Sequence, residues 1–136
     1  MMTDLTPNSD CVFCKIADKI IPASIRFEDD EMVAFDDINP SAPIHVLIVP
    51  KIHISSLVEA EENDQALLGK LVYRAKLLAK ELNLADTGYR VSINVGKWGG
   101  QVVPHLHLHL LGGAPLSTGR SEVIAEAKIT PRTATQ

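Results

Sequence analysis

The chain has 136 residues, 46% of them apolar, and a net charge of −4. That composition suits one globular domain with a modest core and argues against a disordered chain. With no dense Lys/Arg cluster, nucleic acid is not expected as a partner; a small anionic ligand is compatible, because backbone N–H groups can hold phosphate.

The opening "MMTDLTPNSD" has no charged segment followed by an apolar one, and no apolar run reaches the roughly 20 residues of a bilayer span. A soluble, cytoplasmic protein without membrane contact is expected. Residues 1–10 read as a flexible N-terminus. In "CVFCKIADKIIP" the apolar spacing predicts a helical turn or two, stopped before Pro22. "SIRFEDD" and "MVAFDDI" read as two short strands joined by the charged turn "EDDE", a hairpin. "NPSAP" is a loop by composition, and "IHVLIVP", from Ile44 to Pro50, is an apolar, β-branched buried strand.

The strongest helical pattern follows. Leu68, Leu71, Val72, Ala75, Leu78, Ala79 and Leu82 fall on one stripe, with Lys70, Arg74, Lys76 and Lys80 mostly off it. A helix of about 20 residues, roughly 30 Å long, is expected. "YRVSINVG" reads as a strand, "KWGGQVVP" as a Gly-rich loop and "HLHLHLLGG" as the last strand. Residues 114–136 read as an irregular tail. Short helix, hairpin, strand, long helix and strand pair suggest an α+β domain, an antiparallel sheet with its helices on one side.

Three of the five histidines stand at alternate positions of the last strand, His105, His107 and His109. Alternate side chains share a face, so the rings point one way and Leu106, Leu108 and Leu110 the other, toward the core. At 6.6–6.8 Å per two residues the outer rings lie about 13 Å apart, too far for one metal ion at Zn–N distances of about 2.0–2.1 Å. Separate jobs are therefore expected. The middle ring is best placed as nucleophile or base near neutral pH, with its neighbours orienting it and handling protons. Gly99, Gly100 and Gln101 form a loop whose backbone can approach a phosphate, and Asn94 offers a further donor.

Cys11 and Cys14 are the only cysteines. "CVFC" admits three readings: two buried thiols, a redox pair, or half of a structural metal site. No strand precedes it, which argues against the redox reading. A zinc site needs two more ligands to close a tetrahedron, and His53 and His105 are the candidates.

"HLHLHLL", together with "FDDINPSAPIHVLIVPKIHI" and "NVGKWGGQ", resembles the histidine triad (HIT) family from about Cys11 to Gly113. "LGG" after the triad is more like the Hint branch, purine nucleoside phosphoramidases, than the Fhit-like dinucleoside polyphosphate hydrolases. The resemblance implies a five-stranded antiparallel sheet, one long and one short helix, and a homodimer with joined sheets. It also implies cleavage of AMP- or GMP-type phosphoramidates through a nucleotidyl-histidine, with no cofactor required for catalysis. By position, His107 resembles the nucleophile, and His109 and His45 its catalytic neighbours. Asp37 and Ile38 resemble residues at the ribose and base; Asn94, Gly100, Gln101 and Val102 resemble the phosphate-side contacts. Val102 departs from the branch, which usually carries a serine there on the leaving-group side. Cys11, Cys14, His53 and His105 resemble the structural zinc ligands of related proteins.

Overall fold

In the computed structural model the described residues are 10–117; residues 1–9 and 118–136, and with them most of the expected flexible N-terminus and tail, lie outside them. Helix α1 (Val12–Ala17) is followed by strands β1 (Ile25–Glu28), β2 (Met32–Asp36) and β3 (Ile44–Pro50). Two single 3-10 turns lead into helix α2 (Gln65–Glu81), and strands β4 (Arg90–Ser92) and β5 (Leu108–Gly112) complete the order. The five strands form one antiparallel sheet ordered β1-β2-β3-β5-β4. The α+β class, the five strands and the long and short helix agree with the sequence. No helix among the described residues is long and apolar enough to cross a membrane.

The helices do not share a side of the sheet, contrary to expectation. Met32, Ala34, Val46 and Ile48 pack with Leu71, Ala75 and Leu78 of α2. Val33, Phe35, Leu47 and Val49, the alternating positions of the same strands, pack with Cys11, Phe13, Cys14 and Ile16 of the α1 segment. Both faces of β2 and β3 are covered, which explains why "IHVLIVP" is almost continuously apolar. Leu106, Leu108 and Leu110 belong to the α2 side, so the histidines between them face α1.

α2 has 17 residues rather than about 20. Its buried positions are Leu67, Leu71, Ala75, Leu78 and Ala79; Val72, expected on the stripe, is 52% exposed. The apolar period held, but its phase is set by the sheet beneath. The helix ends in a Schellman arrangement: Asn83 has φ 63°, Leu84 N–H donates to Ala79 O (2.8 Å) and Asn83 N–H to Lys80 O (3.1 Å). Leu84 is thereby turned into the core.

Strand β5 is also shorter than the histidine run. Its ladder to β3 begins at Leu108, opposite Ile48. Extending it would require Pro50 to donate an N–H it lacks. Instead Pro50 O accepts from the His105 ring (2.8 Å), and Leu106 N–H donates to Ile54 O (2.6 Å). β4 is likewise only three residues, leaving Asn94 in the loop that follows.

Candidate active site and candidate metal centre

The three histidines divide between two clusters. His105 is fully buried and His107 nearly so. His107 Nδ1 lies 2.6 Å from His105 O. A carbonyl can only accept, so Nδ1 carries the proton and Nε2 carries the ring's lone pair. His107 lines a cavity of about 500 Å³ together with His45, His109, Asp37, Ile38, Asn94, Gly100 and Val102.

His45 and His109 form a proton chain. In the β3–β5 register Leu47 is opposite His109, so His45, two residues away, is its diagonal neighbour on the same face. His45 Nε2 and His109 Nδ1 are 2.9 Å apart. Ser41 N–H donates to His45 Nδ1 (3.0 Å), which places the His45 proton on Nε2. His109 Nδ1 must then accept, leaving Nε2–H as the donor of the His109 ring. Asp37 Oδ2 stands 3.5 Å from His45 Nε2; its other oxygen accepts from Asn39 N–H (2.8 Å). Asp37, His45 and His109 are close enough to hold a metal ion. The Ser41 bond argues against one, since it leaves His45 Nε2 protonated.

The loop after β4 differs from its expected use. Gly99 N–H and Gln101 N–H donate to Gly96 O, and Gly100 N–H donates to Lys97 O. The expected phosphate donors thus close the loop on itself. The Gln101 side chain does the same, accepting from Gly96 N–H (2.9 Å) and donating to Ser55 O (2.7 Å) and Val103 O (3.0 Å). It is not among the residues lining the large cavity. A Cβ on Gly99 would sit 2.2 Å from Val95 O, and Gly100 has φ +83°, so both glycines are required by the turn. Asn94 Nδ2 donates to Gly99 O (2.8 Å) and keeps a second N–H.

The remaining histidine joins the cysteines. His105 Nε2–H is taken by Pro50 O, so Nδ1 holds the free lone pair. That atom lies 3.2 Å from Cys11 Sγ, 3.5 Å from Cys14 Sγ and 3.1 Å from His53 Nδ1; Cys14 Sγ lies 3.3 Å from His53 Nδ1. The four ligand atoms are all within 4.8 Å of one another. A tetrahedron with Zn–S near 2.3 Å and Zn–N near 2.0–2.1 Å has edges of about 3.3–3.8 Å. Donor type, tautomer and spacing therefore fit a zinc ion, which would supply structural tethering. Burial pulls His105 down to about 4, keeping it neutral as a ligand must be.

A model of the HIT domain matches residues 18–116. The chain belongs to the HIT domain family. Protein HitA of Neisseria gonorrhoeae is 52% identical over 102 residues, covering 75% of this chain and 94% of HitA. A solved HIT family hydrolase from Legionella pneumophila has a TM-score of 0.79 at 47% identity, covering 81% of this chain and 98% of its own. A histidine triad protein from Clostridium difficile has a TM-score of 0.80 at 40% identity, covering 88% and 100%.

Sequence reasoning missed one wall of the cavity. Val12, Phe13, Ile16, Ile21, Pro22 and Ala23 line it along with Ile38, which is 88% exposed. Their place inside and after "CVFC" pointed to ligand spacing and not to a pocket, and nothing local marks them otherwise.

Burial also pulls His107 below its ordinary 6.5 and His109 down to about 4. Lowering the pH protonates Nε2 and removes its lone pair, and a depressed value delays that loss. The acid limb of kcat/KM is therefore expected to have its midpoint below 6.5, with full activity at neutral pH. A midpoint at or above 6.5 would contradict a reaction that depends on the neutral His107 ring.

Proposed function

We propose that the chain is a nucleotide-binding hydrolase that cleaves the P–N bond of purine nucleoside (AMP-type) phosphoramidates through a nucleotidyl-His107 intermediate. The observation that carries this reading is the His107 Nδ1–H bond to His105 O, which leaves Nε2 as a lone pair on a cavity-lining ring. The apolar wall from α1 and Ile38 suits a flat base, and the Asp37 carboxylate suits ribose hydroxyls. Asn94, Gly100 and Val102 border the phosphate end, and Gln101 holds the loop that presents them.

His107 Nε2 attacks the α-phosphorus, forming an N–P bond as the P–N bond to the amine breaks. The amine leaves with the bonding pair and takes up a proton from solvent at the cavity, since the neutral His109 ring cannot give up its only proton without becoming an imidazolate. Water then attacks the phosphorus and gives up its proton to solvent, the N–P bond returns its pair to His107, and AMP leaves. Two displacements replace one harder one. The His109 Nε2–H, backed by His45, instead serves as a hydrogen-bond donor to charge that develops on the phosphoryl oxygens. A homodimer is part of this reading: β4 is the sheet edge, and Val91 on it is exposed.

Val102 favours a second reading. It lines the cavity mouth at 89% exposure and cannot hydrogen-bond a leaving amine. A nucleotide-binding module with weak turnover, or a dinucleoside polyphosphate hydrolase, would tolerate it. Rates with tryptamine adenosine phosphoramidate and with a dinucleoside polyphosphate decide: faster release of AMP from the phosphoramidate is expected. A faster dinucleotide would move the assignment to the other branch, and binding without product from either would leave a module.

A further inference from the structure

The Cys/His cluster and the cavity meet on one short element. Cys11 is the N-cap of α1, with its Sγ accepting from Cys14 N–H, and Cys14 lies in the helix. Val12, Phe13 and Ile16 of the same helix line the cavity. Phe13 is edge-on to His107, with centroids 5.0 Å apart at 84°. It is also edge-on to His105, at 6.0 Å and 69°. A six-residue helix has no stability of its own, so its position depends on what holds it. Two things do: the apolar cluster with Phe35 and Leu47, and the contacts of its cysteines with His105 and His53. His105 in turn accepts the Nδ1–H of His107.

We propose that Phe13 is a positioning residue that couples the Cys11/Cys14/His53/His105 cluster to the cavity, so that a thiophilic divalent cation in the cluster raises nucleotide affinity. The inference rests on the cavity being the nucleotide site. Four ligand bonds would fix both ends of the first turn of α1 relative to His105. Thiol–imidazole contacts alone let that turn shift. Phe13 is packed against both rings, and close-packed interiors transmit such shifts rather than absorb them. The cavity wall formed by Val12, Phe13 and Ile16 and the pose of His107 move with it. Coupling of this kind is reciprocal: a bound nucleotide must raise cation affinity by the same factor.

AMP is titrated calorimetrically into the zinc-loaded and chelator-stripped full-length protein, at a temperature where circular dichroism shows both folded. In the wild type, stripping is expected to weaken AMP binding by about tenfold or more, and saturating AMP to tighten zinc by the same factor. Phe13→Leu keeps most of the apolar volume but not the ring; in it, loaded and stripped protein are expected to bind AMP alike. The His107 Nδ1–H resonance should shift on stripping in the wild type and hold still in Phe13→Leu. Equal AMP affinity in loaded and stripped wild type overturns the coupling, as does failure to bind zinc. An undiminished loss in Phe13→Leu also overturns it. AMP bound equally in both states leaves the nucleotide reading standing, whereas AMP bound in neither defeats that reading too.

Discussion

His107→Ala is expected to abolish turnover of an adenosine phosphoramidate while AMP still binds. Deleting a covalent nucleophile elsewhere costs about 10⁴-fold or more in kcat, and the structure gives no neighbour that could substitute. His109 offers Nε2–H and not a lone pair, because its Nδ1 accepts from His45. His105 is buried with both nitrogens engaged. The binding surface, by contrast, is made mostly by other residues, from the α1 wall to Asp37 and Ile38. His107→Asn keeps a side chain of similar reach and a hydrogen on the side of His105 O, and should be equally inactive; it guards against the alanine variant failing through lost packing beside Phe13. Denatured mid-turnover, the wild type should carry a nucleotidyl adduct on the peptide containing His107. Turnover near wild type in either variant, or an adduct on another peptide, would remove His107 from its role.

The separation of the three histidines was legible because a strand has a two-residue period. His105, His107 and His109 had to share a face, and the estimated span of the outer pair ruled out one shared metal. The structure divides them as that distance demanded: His105 goes to the cysteines, His109 to His45. β3 was legible to the residue, since an apolar run bounded by a loop and a proline leaves little choice. What the sequence hid depends on long-range packing. The side of the sheet taken by α1 follows from which strand faces lacked α2, not from any property of "CVFCKIA". The loop glycines looked like phosphate donors, since a backbone N–H carries no mark of whether it closes a turn or meets a ligand. Val72 and Leu67 both fit an apolar period, and only the sheet under α2 selects Leu67 for burial.

Zinc removal is expected to lower thermal stability far more than any single surface change. The sheet and α2 have their own core, so the protein should survive stripping, unlike a zinc finger. A cation in the cluster would instead tie the α1 segment, the turn after β3 and the segment that leads into β5 into one knot. A ligand bound only by the folded state contributes about 4.1 kcal/mol when its free concentration is a thousand times Kd. For a domain of this size that corresponds to a Tm higher by about 10–20 °C. Cys14→Ser should abolish the zinc-dependent part of Tm, because serine is a poor ligand for zinc in such a site. His53→Ala should reduce that part at smaller cost to the fold, since His53 is exposed whereas Cys14 is buried. The measurement is Tm by differential scanning calorimetry with and without chelator, on protein purified without a polyhistidine tag and assayed for bound zinc. Stoichiometric zinc with a Tm that collapses on chelation in the wild type alone is the expected result. Protein that carries no zinc, or a Tm indifferent to chelator, would leave the four ligand atoms as a buried thiol–imidazole cluster and nothing more.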